Sequence, residues 1–453
     1  MRQENGPPPL WIKDPLAILA EGAQRGIVVR DGRIDELVPA GRAPATPNAT
    51  TFDAGAHVVL PGLINTHHHF YQTLTRAVPA ALDRELFPWL QTLYPLWARL
   101  TPEALDLAVT LATAELLLSG ATMTTDHHYV FPRGLEDAVD IEVGAARRLG
   151  VRVLLTRGSM NLSQRDGGLP PDSVVQDEDT ILADCERVVQ RHHQRGEGAT
   201  VQIALAPCSP FSVTTSLMRK TADLARRLDL RLHTHLAETE DENRFCQSLY
   251  KCRPLDYLEE CGWLGEQTWL AHGIHFTPNE LARLARAGTS VAHCPCSNQT
   301  LASGACPVCA MEEAGVRVGL GVDGSASNDA SNLMQEVRAA FLLQRSRYGV
   351  SRVSHLDALR WATKGSAACA GRSDIGEIAV GKMADFALFK LDELRFSGSG
   401  DPLAALVLCG AHRADRVMVG GRWIVENGQI PGLDLADLIR RHSAAAKTLQ
   451  DEA

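Results

Sequence analysis

The stretch Leu230-Arg231-Leu232-His233-Thr234-His235-Leu236-Ala237-Glu238 is a short apolar run that ends in side chains able to bind metal and carry protons. Seven more runs of this kind lie on either side of it. They are Val58–His67, Ala121–Asp126, Val151–Arg157, Val201–Pro207, Thr268–His272, Ser290–Cys294 and Arg317–Asp323; the quoted stretch contributes Leu230–His235. All are rich in Val, Leu, Ile and Thr, as strands buried on both faces should be. Helical patterns separate them. Pro102–Ser119 opens on Thr101-Pro102-Glu103 and closes at Gly120, a start and a stop signal. Ser216–Arg227 and Pro278–Ala287 repeat apolar residues every three or four positions. Eight strand–helix alternations predict an α/β fold, a (β/α)8 barrel over residues 61–372.

The two ends of the chain read differently. Gly26–Ile34 holds two short runs around an Asp31-Gly32 turn, and Ala384–Phe389 and Val417–Val425 read as strands and hairpins. These segments predict a composite β-sandwich domain built from residues 1–60 and 373–430. Leu433–Ala446 should be helical, within a C-terminal helical segment over 431–453.

The chain has 453 residues, long enough for a large core, and its 45% hydrophobic and 22% charged content is that of an ordinary globular protein. A net charge of −9 argues against non-specific nucleic-acid binding, which needs a basic footprint. The opening Met1–Pro9 is polar and proline-rich and has no signal-peptide pattern. No apolar run approaches the roughly 20 residues of a membrane span. The 11 cysteines are scattered, which suggests reduced thiols and a cytoplasmic protein. A homo-oligomer is the expectation from the general frequency of symmetric assemblies.

The chemistry gathers where strands should end. His67 and His69 are two residues apart, a spacing that puts both rings on one face of a strand. His233 and His235 repeat it; His235, nearer the strand end and three residues before Glu238, is the better ligand. His272 follows Trp269-Leu270-Ala271, and Asp323 ends a glycine-flanked run. Each has a plainer reading: a hydrogen-bonded core histidine, or an acid at a helix start for Glu238. A carboxylate buried at Asp323, however, needs a partner, because an unpaired buried charge is costly. His67, His69, His235 and Asp323 are therefore expected to bind one divalent ion, with a position left for water, whose pKa zinc lowers to about 7. Glu238 is expected to act as general acid/base, His272 to hold the water, and Asp323 to relay a proton to the leaving group.

The motifs Pro61–His69, His235-Leu236-Ala237-Glu238, Ala271-His272-Gly273, Val291-Ala292-His293-Cys294-Pro295 and Gly321–Asn328 together resemble the amidohydrolase superfamily, in its nucleobase and triazine deaminase branch. The resemblance spans nearly the whole chain. It implies hydrolytic deamination of a nucleobase-like small molecule, with the roles just given. Three framework stretches, Trp11–Ile18, Phe70–Arg76 and Asp401–Val407, point within the branch to an oxidised purine, 8-oxoguanine, converted to urate and ammonia. An s-triazine or another aminoheterocycle (guanine, isocytosine, a pterin) is the alternative substrate. The resemblance implies Zn2+, and these ligands also accept Fe2+. A two-metal hydrolase would carry a bridging Lys on the fourth strand, and Val201–Pro207 has none. A non-catalytic barrel scaffold should have lost ligands or Glu238, and all are retained.

Three residues are candidate substrate contacts. Gln72 could pair its amide with a purine edge, Trp89 could stack on the base or close a lid, and Arg157 could receive an oxo group. Cys294, Cys296, Cys306 and Cys309 have spacings that permit a second zinc site. Cys294, though, belongs to the family's His-Cys-Pro pattern, from which Cys296 and Cys309 depart.

Overall fold

The computed structural model describes residues 8–451. The start of the Met1–Pro9 stretch and the last two residues of the C-terminal segment lie outside the described residues. Eight parallel strands form the barrel: Leu63–Asn65, Ala121–His128, Arg152–Ser159, Val201–Pro207, Leu232–Leu236, Thr268–His272, Ser290–His293 and Val318–Leu320. Each pairs with its sequence neighbour. The first and last meet where Thr66 N donates to Leu320 O at 2.9 Å and Asp323 N donates to His67 O at 3.0 Å. That closure brings His67 and Asp323, 256 positions apart in the chain (323 − 67), to one rim. The helices Pro102–Leu118, Thr215–Leu228 and Pro278–Ala287 match the expected spans to within a residue. Thr101, Thr214 and Thr277 cap them, each side-chain oxygen accepting from a backbone N–H three residues on.

The first expected strand, Val58–His67, is in fact two. His57–Pro61 pairs antiparallel with Phe386–Lys390, and only Leu63–Asn65 enters the barrel. The break falls at Gly62, where a Cβ would lie 2.1 Å from Thr122 Oγ1. Only glycine allows the chain to pass from one sheet to the other against the second barrel strand. The second strand runs on to His128 instead of ending at Asp126, and the eighth is shorter than expected.

Beside the barrel lie a four-stranded sheet from residues 10–53 and a five-stranded sheet. The latter combines Ala17–Ile18 and His57–Pro61 with Phe386–Lys390, Arg416–Val419 and Arg422–Val425. Ile12, Ile27, Val59, Phe386 and Met418 pack together between them. The Asp31-Gly32 turn has positive φ at both residues (50° and 76°), the requirement of a tight hairpin. The C-terminal helix, Leu435–Asp451, packs His442 against Thr73 at 3.0 Å.

A buried ion pair joins barrel and sheets. Arg152, at the start of the third barrel strand, donates to Asp385 Oδ2 at 2.7 Å and Oδ1 at 3.1 Å. Asp385 Oδ1 also accepts from Gly420 N at 2.7 Å. Replacing Arg152 by Ala leaves a buried carboxylate without its counter-charge. The expected cost is about 3–5 kcal/mol, read as a lowered denaturant midpoint; a change under about 1 kcal/mol would contradict this reading of the pair.

Candidate active site

The strand ends at one mouth of the barrel bring His67, His69, His235 and Asp323 together, with one ligand atom of each within 4.8 Å of the others. His67 and His69 stand just past the first strand, not on it. Their rings still converge, with centroids 4.8 Å apart. Asp323 lies in the turn after the eighth strand, φ 63°, and His272 ends the sixth with φ 72°. Ala237, φ 54°, turns the chain so that Glu238 faces back to the mouth. Left-handed backbone at non-glycine residues costs of order 1–3 kcal/mol each and clusters at functional sites.

Hydrogen bonds determine which nitrogen of each ring faces the centre. His69 Nδ1 lies 2.8 Å from His127 O, and His235 Nδ1 lies 2.7 Å from Cys208 O. A carbonyl can only accept, so both Nδ1 atoms carry the proton. Their Nε2 lone pairs then face each other at 3.1 Å with no proton between them. Two acceptors so placed repel unless a cation lies between them. Two nitrogens on a tetrahedral zinc, each at 2.0–2.1 Å, sit about 3.3 Å apart, so the donor set fits such an ion. Asp323 Oδ1 adds an oxygen 3.2 Å from His67 Nε2 and 3.3 Å from His69 Nε2. Burial lowers His67 well below the ordinary histidine range and holds His235 down to about 3, with His69 and His272 adding to the latter. Neutral imidazole is the ligating form. Asp323 is itself buried, so its carboxylate, like the facing lone pairs, calls for a cation between them.

Glu238 and His272 flank this cluster. His272 Nε2 is 3.5 Å from Glu238 Oε2 and 4.0 Å from Asp323 Oδ2. The other ring nitrogen, Nδ1, is held by Asn298 Oδ1 at 2.9 Å. Burial, reinforced by the Asp323 charge, raises the Glu238 carboxyl well above its ordinary value. Glu242 accepts the backbone N–H groups of Ala237 (3.1 Å) and Glu238 (2.9 Å) and so fixes the turn. Ser297 Oγ donates to Asp323 Oδ2 at 2.6 Å.

The cluster opens into a pocket at the barrel mouth, walled in part by Leu90. Gln72 and Trp89 line it. Gln72 Oε1 is buried and unpartnered. It can approach because residue 324 is glycine; a Cβ there would stand 1.8 Å from Gln72 Oε1. Arg157 is the correction. It does not line the pocket. Its guanidinium donates to Asp184 at 2.7 Å and Gln176 at 2.8 Å and lies 3.8 Å over the Phe131 ring. Replacing Arg157 by Ala should therefore lower stability, read as Tm, and leave KM within about twofold of wild type; a large rise in KM at unchanged Tm would restore it as a substrate contact.

Tyr129, Cys208, Phe211, Leu86 and Leu301 also line the pocket, and sequence reasoning missed them. Tyr129 had a signal: it directly follows the second strand, which was read two residues short. All eleven thiols are free, and among the described residues no metal-capable group includes a cysteine.

Barrels that gather such a donor set and a buried acid at the strand ends perform metal-dependent hydrolysis, and this chain falls in that class. More narrowly, it belongs to the amidohydrolase family, which matches residues 58–424. It is 63% identical to an 8-oxoguanine deaminase of Pseudomonas aeruginosa over 97% of this chain and 98% of that one. It is 38% identical to a hydroxydechloroatrazine ethylaminohydrolase of Pseudomonas sp. (strain ADP), over 91% and 89% of the two chains. An atrazine chlorohydrolase of Arthrobacter aurescens TC1, solved in complex with zinc, superposes with a TM-score of 0.90 at 29% identity, covering 96% of this chain and all of the other.

Proposed function

We propose that the enzyme hydrolyses the 2-amino group of 8-oxoguanine, releasing ammonia and urate, with one zinc ion held by His67, His69, His235 and Asp323. The carrying observation is the pocket itself, which places a buried acid, Glu238, beside lone pairs that have no proton to share. A divalent ion bound there acts as a Lewis acid and lowers the pKa of water. Glu238 takes a proton from the attacking water and delivers it to the ring nitrogen beside the carbon under attack. His272, oriented by Asn298, holds that water from the other side. Asp323 takes the remaining proton of the added water, from the hydroxyl at C2, and passes it to the departing amine. Water adds at C2, the C2–N bond breaks, and nitrogen leaves as ammonia with no oxidant or reductant required.

The substrate reading is supported by the 63% identity along nearly the whole chain to a protein named for 8-oxoguanine, and by Gln72, whose unpartnered Oε1 suits an N–H on a purine edge. Trp89 supplies apolar wall. Ammonia release across 8-oxoguanine, guanine, isocytosine, a pterin and an aminotriazine tests it. The highest kcat/KM should fall on 8-oxoguanine; no turnover of it, with brisk turnover of a triazine, would reassign the substrate. Metal analysis should find one zinc per chain. The free thiols support a cytoplasmic setting, and we take the enzyme to act as a homo-oligomer, which light scattering checks.

A further inference from the structure

We propose that His233 is a positioning residue that aims His67 at the metal through a closed loop of hydrogen bonds. The inference rests on the reading of His67 as a ligand. His233 Nδ1 lies 2.8 Å from Trp269 O, so this nitrogen must donate. In a neutral ring, His233 Nε2 is then an acceptor. It lies 2.8 Å from His67 Nδ1, which must supply the proton. That leaves the lone pair of His67 on Nε2, the atom 3.2 Å from Asp323 and otherwise unpartnered. Reversing the relay would set a bare His233 Nδ1 against a carbonyl oxygen and turn an N–H of His67 into the donor cluster. A doubly protonated His233 would donate from Nε2 to His67 Nδ1 and so, like the reversed relay, leave His67 an N–H facing the donor cluster.

The loop closes through Trp269. Its indole Nε1 donates to Thr66 O at 3.0 Å, one residue before His67. Its ring stacks on His233 with centroids 4.3 Å apart and planes 15° from parallel. His67 is thus held by its backbone neighbour and by its ring, both against a single residue of the sixth strand. His69 and His235 need only a carbonyl apiece. His67 has another imidazole in that place, so its tautomer depends on a side chain that mutation can change.

Two near-isosteric amides separate this role from packing. Gln at 233 places an amide oxygen where Nε2 accepts from His67; Asn places its amide where Nδ1 donates to Trp269. Zinc affinity is measured by competition with a chromophoric chelator, on variants whose folding is checked by circular dichroism. Such outer partners typically set metal affinity by about 10–100-fold. His233→Asn should bind zinc about 10–100-fold more weakly than wild type, and His233→Gln within about threefold of it. Equal losses in the two variants, or none in His233→Asn, would overturn the relay. Long-range 15N–1H spectra of the zinc-loaded wild type give a reading independent of mutation. His67 and His233 should both carry the ring proton on Nδ1; a proton on Nε2 of either overturns the proposal. A wild-type protein with no tight zinc would remove the ligand reading itself, an outcome distinct from these.

Discussion

Glu238→Gln should bind zinc as the wild type does and lose about 10²–10⁴-fold in kcat, the usual contribution of a positioned acid/base. Glu238 is buried and faces the donor cluster, with His272 at 3.5 Å. The amide keeps the volume and the backbone turn fixed by Glu242 but can no longer exchange a proton. Nothing in the donor set changes, so metal content should stay at one ion per chain. A variant that keeps a tenth of wild-type activity would show that another group carries the proton. A variant that loses its zinc would show that Glu238 supports the metal instead.

Removing the metal should abolish turnover and destabilise the fold together. Without an ion, His69 and His235 point lone pairs at each other across 3.1 Å, beside the Asp323 carboxylate. An ion that binds only the folded chain contributes about 4 kcal/mol when present at 1,000 times its Kd. Chelation should therefore lower the thermal midpoint, and stoichiometric zinc should restore both midpoint and activity. Chelated protein with an unchanged midpoint and full activity would contradict the metal site.

The eight runs of the barrel were legible because strands buried on both faces must be apolar nearly throughout, and the helices between them carry their own start signals. The division of Val58–His67 was not legible. It depends on Gly62 meeting Thr122 of the next strand, a contact with no local trace. The donor set could be read because each member stands at the end of an apolar run, where a polar group calls for an explanation. Arg157 stands at such an end too and misled for that reason. Its partners, Asp184 on the following helix and Phe131 after the preceding strand, give no sign in the sequence that they reach it. The pocket walls Phe211 and Leu301 come from loops whose paths depend on the closed barrel. The positive φ at Ala237 was hidden as well, since alanine seldom adopts left-handed backbone.

Water attacking in this pocket should remove the amino group by hydrolysis, and its oxygen should stay in the product. The most direct measurement is a turnover of 8-oxoguanine by the zinc-loaded enzyme in H2(18)O, with ammonia assayed and urate examined by mass spectrometry. One ammonia should appear per urate, and each urate should carry one 18O, at the carbon that carried the amine. Absence of ammonia, or urate formed without the label, would contradict it.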